Sequence, residues 1–241
     1  MTHCTPDDRP AICKASKVMM HQKLQRDIYL IQEGDAWFAR NRAVLHSDRY
    51  DKDPVVTELR KAVFRPTAIL EIGCSDGWRL ARLSKEYRAR AAGIDPSGQA
   101  IMQARSSFAG IDFRRGTADA LPFEDARFDL VIYGFCLCCC DRKDLFRIVA
   151  EGDRVLKDGG LLTIYDFYVQ KPHCRVNQHD KKLLTYKMNH AALFMCNPAY
   201  DLLSIEVITP ETLGDPDDHT SAVVLMKKNV CESFPLRTTT I

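Results

Sequence analysis

A glycine-containing turn is the stretch of this sequence whose residue types and spacing best suit ligand chemistry. The run from Ile69 to Leu80 reads ILEIGCSDGWRL, an apolar strand followed by a turn and the start of a helix. Gly73 would allow a ligand to approach the backbone closely, and Gly77 would let the helix begin close to the sheet. Such a turn can hold a nucleotide or nucleoside at the end of a strand.

An acidic residue follows at a spacing that supports this interpretation. Asp95 ends the next predicted strand, 22 residues after Gly73. A carboxylate there can accept hydrogen bonds from the ribose hydroxyls of an adenosine ligand. The alternative is that Asp95 only caps the following helix.

The elements that must position these residues alternate regularly between strand and helix. Alternation of mostly apolar strands with helices predicts a parallel sheet covered on both faces. The predicted strands span residues 68–73, 91–95, 111–116, 128–135 and 159–167. Segments 202–210 and 221–228 are two further strands, and their short connection predicts an antiparallel pair.

The ends of the chain suggest a division into two parts. A helical pattern runs from about Lys17 to Leu45, and Gly34 is expected to interrupt it. A second helix is predicted over Pro54–Phe64. We therefore expect a helical extension or lid over residues 1–52 and a main domain over 53–241, with an insertion at 168–201 that crosses the open end of the sheet.

The glycine turn has the form E-x-G-x-S-x-G, which resembles motif I of the class I S-adenosylmethionine-dependent methyltransferases, with Ser75 in place of the middle glycine. The segments GTADALPFEDARFDLVI and EGDRVLKDGGLLTIYDF are similar to later parts of the same family, so the resemblance covers about Leu59–Phe167. It implies an α/β, Rossmann-like, seven-stranded and mostly parallel sheet of order 3-2-1-4-5-7-6, in which strand 7 is antiparallel.

The resemblance also implies a cofactor, S-adenosylmethionine, with S-adenosylhomocysteine as product. Asp119 would accept a hydrogen bond from the adenine amino group, and the Ala118 backbone would lie beside the ring. The implied cofactor-binding residues are Glu71, Gly73, Cys74, Ser75, Gly77, Asp95, Pro96, Ala118, Asp119, Ala120, Phe135 and Cys136.

Two other function classes stay open. An NAD(P)-dependent oxidoreductase would need a G-x-G-x-x-G turn, and the short-chain type would need a Tyr-x-x-x-Lys pair; neither pattern is present. A catalytically silent protein that binds the cofactor and regulates or scaffolds a partner has no distinguishing sequence feature.

The acceptor side is expected to be built by the two segments outside the resemblance. Both combine aromatic and polar residues, the mixture expected of a small-molecule pocket. Candidate acceptor contacts are Trp37, Asn41, His173, Tyr186 and Asn189, and candidate general bases are His173, Tyr186 and His190. A weaker similarity of EGDAWFARN and YKMNHAALFMCNPAY to methylases of sugar biosynthesis, including the pseudaminic-acid group, suggests a small polar acceptor.

The amino-acid composition limits the classes of binding partner that we expect. The net charge is +2, from 34 basic and 32 acidic residues, which gives no reason to expect nucleic acid or an anionic membrane as a partner. The N-terminus lacks the apolar segment of a signal peptide, so we expect a cytoplasmic protein whose ten cysteines are thiols. Cys136 and Cys139 have C-x-x-C spacing without a second pair, so the apolar run FCLCCC is interpreted as a continuation of strand four that holds no metal.

Overall fold

The computed structural model describes residues 24–45, 50–209 and 215–235 of the chain. The helices are α1 (Gln25–Ile28), α2 (Gly34–Leu45), α3 (Pro54–Lys61), α4 (Trp78–Tyr87), α5 (Gly98–Ser107), α6 (Leu145–Val155), α7 (Ala192–Met195), α8 (Pro216–His219) and α9 (Val230–Ser233). The strands are β1 (Ala68–Ile72), β2 (Arg90–Asp95), β3 (Asp112–Arg115), β4 (Phe128–Gly134), β5 (Leu156–Phe167), β6 (His173–Val176), β7 (Leu184–Lys187), β8 (Tyr200–Ile208) and β9 (Ser221–Lys228). A π-helical turn (Tyr29–Glu33) joins α1 to α2, and short 3₁₀ turns cover Tyr50–Lys52, Leu137–Cys139 and Arg142–Asp144.

Seven strands form one sheet of order β3-β2-β1-β4-β5-β9-β8. The strands from β3 to β5 are parallel, whereas β9 runs antiparallel to both β5 and β8. Counted within this sheet alone, the order is 3-2-1-4-5-7-6 with strand 7 reversed. The predicted fold class is confirmed.

Alternate residues of each strand point to opposite sides of the sheet. Helices pack on both sides and cover these residues. Leu70 and Ile72 of β1 pack in one buried cluster with α6, and Ile69 packs in another with α3, α4 and α5. Every residue of β1 is buried, as expected for the centre of a parallel sheet. The helices therefore enclose the strands and leave their carboxyl ends as the open edge.

The helix that precedes the sheet is continuous where a break was expected. We call Gln25–Leu45 the N-terminal helix; the predicted start at Lys17 lies outside the described residues. Gly34 has helical φ and ψ of −55° and −50°, so the predicted interruption is wrong. A Cβ at Gly34 would lie 3.0 Å from the Ser97 backbone nitrogen, so the glycine lets this helix pack on the turn after β2. Asp35 fixes the contact by accepting hydrogen bonds from Ser97 Oγ (2.7 Å) and Gln99 N (2.9 Å).

Gln25 attaches the other end of the N-terminal helix and is buried. Its backbone N–H donates to Asp141 Oδ2 at 2.7 Å, and its side-chain Nε2 donates to the Cys139 carbonyl at 2.9 Å. Its Oε1 accepts a hydrogen bond from Leu184 N. One side chain thus joins the helix to the loop after β4 and to the insertion.

Two further expectations need correction. β4 ends at Gly134, and FCLCCC does not continue it, because Phe135 adopts a left-handed φ of +58° and the following residues form a 3₁₀ turn. The helix expected over Pro54–Phe64 ends at Lys61 because Ala62 is already extended. The insertion contains an antiparallel hairpin, β6–β7, and one turn of helix.

A buried ion network lies beneath the glycine turn. Asp53 caps α3 by accepting hydrogen bonds from Val55 N and Val56 N, both at 3.1 Å. Arg79 of α4 contacts Asp53 Oδ2 at 3.0 Å and Glu71 Oε1 at 2.5 Å. Burial raises the pKa of Glu71 to about 7, and the Arg79 guanidinium opposes that rise. The arginine therefore neutralises two buried carboxylates that belong to different elements.

Arg79→Met would leave both carboxylates without their cation. We expect the free energy of unfolding to fall by about 3–5 kcal/mol, the usual cost of removing one partner of a buried ion pair. Lys85→Met, an exposed position on the same helix, is the matched control and should change stability by less than about 0.5 kcal/mol. Urea denaturation followed by circular dichroism measures both, and equal stability of the two variants would contradict the prediction.

Gln25→Ala tests the attachment of the N-terminal helix. The substitution removes two side-chain hydrogen bonds at a buried position, so amides of residues 25–45 should exchange with deuterium roughly tenfold faster or more. Ile31→Ala is the control, because Ile31 is 64% exposed on the same helix. Unchanged protection in Gln25→Ala would show that other contacts hold the helix.

Candidate functional site

A cavity opens at the carboxyl ends of the central strands, beneath the N-terminal helix. Its volume is about 920 Å³, including open solvent at the mouth. In an open α/β sheet this edge is where ligands bind. The lining residues are Arg26, Tyr29, Gly34, Trp37, Ile72, Gly73, Ser75, Ile94, Asp95, Pro96, Gly116, Thr117, Ala118, Asp119, Gly134, Phe135, Cys136, Cys139, Cys140, Asp141, Asp144 and Ile148.

The glycine turn forms the floor of the cavity with three left-handed residues. Gly73, Ser75 and Gly77 have φ of +76°, +49° and +75°. A Cβ at Gly73 would lie 2.8 Å from Cys136 Cβ, and one at Gly77 would lie 2.3 Å from the Phe113 ring. Both positions thus require glycine. The Ser75 hydroxyl is buried and has no hydrogen-bond partner within the described part of the chain.

Asp95 ends β2 and holds the turn from the side. Its carboxylate accepts hydrogen bonds from Ser75 N at 2.9 Å and Ser97 N at 2.8 Å. Burial raises the pKa of Asp95 to about 6, and these two N–H donors limit the rise. The side chain is therefore predominantly ionised at neutral pH and lines the cavity as an acceptor.

Asp119 lines the cavity beyond β3 and is engaged by the N-terminal helix. Its Oδ2 lies 2.5 Å from Arg26 Nη1. Burial would raise the pKa of Asp119, but hydrogen bonds from Thr117 and Arg26 outweigh it and hold the pKa below its usual range. One end of the cavity is thereby closed by an ion pair.

The loop after β4 forms the opposite wall. Phe135 donates its backbone N–H to the Tyr165 carbonyl at 2.8 Å. Its ring packs edge-to-face on Tyr165 and Phe167, with centroids 5.0 and 5.1 Å away. A left-handed conformation at a phenylalanine costs about 1–3 kcal/mol and persists only where neighbouring contacts fix it.

The cysteine run is arranged around backbone acceptors. Cys136 Sγ contacts the Ile72 carbonyl at 3.4 Å, and Cys138 Sγ lies 3.8 Å from Cys139 Sγ. Within residues 24–45, 50–209 and 215–235, no three His, Cys, Asp or Glu side chains are grouped so as to hold a metal ion. That no metal is bound remains a prediction.

The structure brings most of the predicted cofactor residues to one cavity. Those that line it are Gly73, Ser75, Asp95, Pro96, Ala118, Asp119, Phe135 and Cys136. The other four do not line it: Glu71 faces Arg79, Cys74 is buried behind the turn, Gly77 packs on Phe113, and Ala120 is exposed. Sequence reasoning missed Arg26, Tyr29 and Gln25, because their partners are distant in the chain.

Of the predicted acceptor residues, Trp37 lines the cavity and the others do not. His173 Nε2 lies 2.9 Å from Asp218 Oδ1, and Tyr186 sits opposite Cys174 in the hairpin. Asn189 caps the Ala191 backbone N–H at 3.1 Å. Asn41 donates to the Trp37 carbonyl at 2.8 Å on the exposed side of the helix.

His190 is buried beside Asp166, away from the cavity wall. Its Nδ1 lies 3.9 Å from Asp166 Oδ1. Burial lowers the pKa of His190, whereas Asp166 raises it in part. Asp166 Oδ2 accepts a hydrogen bond from Cys138 N at 3.2 Å, so this pair supports the loop after β4 from below.

Comparisons with known proteins identify a similar domain family and a similar fold. Residues 69–160 match a family described as "Methyltransferase domain". A demethylmenaquinone methyltransferase from Chlorobaculum parvum is 30% identical over 148 residues, which are 61% of this chain and 58% of that protein. A phthiotriol/phenolphthiotriol dimycocerosates methyltransferase from Mycobacterium ulcerans is 36% identical over 101 residues, which are 41% of this chain and 36% of that protein.

Among solved structures, the 1,6-didemethyltoxoflavin-N1-methyltransferase of Burkholderia thailandensis, with bound S-adenosylhomocysteine, superposes with a TM-score of 0.68 at 15% identity. The match covers 87% of this chain and 92% of that one, and it shows the fold. The chain spans about a third to three fifths of the length of the curated relatives above. Among the helices of the described residues, none combines the length and the apolar character that a membrane span requires. Residues 69–160 are therefore similar to the methyltransferase domain family, and the chain has a Rossmann-like methyltransferase fold.

Proposed function

We propose that this protein transfers a methyl group from S-adenosylmethionine to a small-molecule acceptor bound in the cavity. The observation that carries the proposal is the position of Asp95, ionised at the end of β2 and bonded to the left-handed glycine turn. A carboxylate at this place is suited to the ribose of an adenosine ligand. The matched domain supports the choice of cofactor.

The charge of the cavity favours this cofactor over a dinucleotide. Among the described lining residues, four are aspartates (Asp95, Asp119, Asp141 and Asp144) and one is a cation, Arg26, so their formal sum is 1 − 4 = −3. Arg26 already pairs with Asp119. An anionic pyrophosphate would be repelled here, whereas a ligand that carries a positive sulfonium would be attracted.

A buried polar atom in the turn fits a cofactor with polar groups. Ser75 Oγ lacks a hydrogen-bond partner within the described residues, and such orphaned atoms are rare unless a ligand or water completes them. In this proposal Asp95 holds the ribose and Asp119 with Ala118 holds the adenine. Gly73 and Ser75 serve the amino-acid end, Glu71 supports the turn from beneath through Arg79, and Phe135 with Cys136 borders the reactive end.

The cofactor, when bound, supplies a methyl group that is already activated for displacement. The residues of the protein then need to hold the acceptor atom in line with the methyl–sulfur bond and to exclude water. The N-terminal helix and the loop after β4 cover the cavity and are suited to that exclusion. We assign no catalytic base, since the candidates His173, Tyr186 and His190 do not line the cavity.

Further parts of the proposal rest on sequence. We retain the division into an extension over residues 1–52 and a domain over 53–241, a cytoplasmic location, and the absence of nucleic acid as a partner, which the net charge of +2 supports. Release of S-adenosylhomocysteine in the presence of acceptors distinguishes an active methyltransferase from a catalytically silent scaffold. The scaffold would bind the cofactor but release no S-adenosylhomocysteine.

Calorimetry with the full chain distinguishes the two cofactor classes. We expect S-adenosylhomocysteine to bind with a Kd of about 1–100 μM and NADH to show no binding up to about 1 mM, because its pyrophosphate meets the acidic cavity. Binding of NADH without binding of S-adenosylhomocysteine would overturn the proposed cofactor.

Asp95 should make this binding dependent on pH. Because the carboxylate loses its charge below its pKa of about 6, the Kd for S-adenosylhomocysteine should rise as pH falls from 7 to 5, by up to about tenfold per unit below 6. Asp95→Ala should raise the Kd about 10- to 100-fold at pH 7.5 and remove this pH dependence. Asp125→Ala, an exposed aspartate outside the cavity, is the control. Unchanged affinity in a folded Asp95→Ala variant would place the ribose elsewhere.

A further inference from the structure

The part of the cavity that the cofactor proposal leaves for the acceptor is lined by aromatic and thiol side chains. Tyr29 and Trp37 contribute from the N-terminal helix, and Phe135 and Cys139 contribute from the loop after β4. Trp37 and Phe135 are 39% and 37% exposed, which is high for large apolar side chains that line a cavity. Exposed aromatic faces of this kind bind flat, apolar partners.

The one cation among the described lining residues, Arg26, is already paired. Arg26 pairs with Asp119, Asp141 accepts the Gln25 N–H, and Asp95 accepts two backbone N–H groups. The described lining therefore offers no uncommitted cation to an acceptor that carries a carboxylate or phosphate, and its acidic residues repel such a group.

Two carboxylates, those of Asp141 and Asp144, also line the cavity. They can accept hydrogen bonds from an uncharged acceptor, whereas they repel an acceptor that carries a negative charge. The walls thus disfavour anionic acceptors.

Phe135 gives the wall a fixed orientation. Its left-handed φ of +58°, its hydrogen bond to the Tyr165 carbonyl and its two edge-to-face neighbours set the direction of the ring. The Lys187 Nζ lies 4.4 Å from the centroid of the Phe167 ring and holds that neighbour in turn. A strained residue fixed by its surroundings points to a functional surface.

We propose that the methyl acceptor is a small, uncharged, planar ring compound that lies against Phe135 and Trp37. This inference rests on the proposed function, and it differs from the polar sugar acceptor that the sequence similarity suggested. Aromatic stacking supplies the recognition, and the acidic residues reject anionic analogues.

The experiment measures binding of four probes to the full chain saturated with S-adenosylhomocysteine, by calorimetry and by ligand-observed saturation-transfer NMR. The probes are 2-naphthol, its saturated counterpart decahydro-2-naphthol, the anion 2-naphthoate and N-acetylglucosamine. We expect 2-naphthol to bind about tenfold more tightly than any of the other three. Tighter binding of the sugar, the anion or the saturated alcohol would overturn the inference.

Substitutions of Trp37 and Phe135 test whether these side chains contact the acceptor. Trp37→Leu and Phe135→Leu should each weaken 2-naphthol binding about fivefold or more, with melting temperature and S-adenosylhomocysteine affinity measured alongside. Phe234→Leu, an exposed phenylalanine outside the cavity, is the matched control. Full affinity in Trp37→Leu and Phe135→Leu would overturn the inference. If S-adenosylhomocysteine does not bind the unmodified chain, both the proposed function and this inference are wrong. If S-adenosylhomocysteine binds but 2-naphthol does not, only this inference is wrong.

Discussion

The ion network of Asp53, Arg79 and Glu71 is the constraint on which the rest of the site depends. Arg79 joins the cap of α3, the end of β1 and the first turn of α4, and these three elements meet under the glycine turn. The turn contains three left-handed residues, and its backbone N–H groups donate to the Ile94 carbonyl and the Asp95 carboxylate. A buried cation shared by two carboxylates fixes the backbone on either side of it, so the turn does not relax into an ordinary connection.

Two surfaces with different chemistry meet above that turn. The ends of β1 to β3 present backbone groups, Asp95 and Asp119, whereas the loop after β4 and the N-terminal helix present aromatic rings and thiols beside Asp141, Asp144 and Arg26. The acidic side favours a cationic ligand, and the aromatic side is rigid because Phe135 is held in a strained conformation. A donor and an acceptor of unlike chemistry could therefore be held next to each other without competing for the same groups.

The sheet could be predicted from the sequence because buried parallel strands are short apolar runs, and their alternation with helical patterns can be read along the chain. The position of Asp95 followed from spacing for the same reason. The features that escaped prediction depend on distant contacts: Gln25 bonds to Asp141, 116 residues away, and Gly34 is required by the Ser97 backbone. FCLCCC has the composition of a strand, yet the φ of Phe135 turns the chain. Composition marked the insertion as aromatic and polar, but only the hairpin pairing determines that His173 and Tyr186 do not line the cavity.

The N-terminal helix closes the cavity with groups that are themselves bonded to the cavity wall. Arg26 binds Asp119, Gln25 binds the loop after β4, and Asp35 binds the turn after β2. A ligand too large for the open mouth of the cavity needs these contacts to break, and its apparent affinity is then the intrinsic affinity scaled by the open fraction. For such a ligand the same contacts re-form after binding and break again before release. The attachment of one helix then limits entry and exit in addition to the groups that contact the ligand.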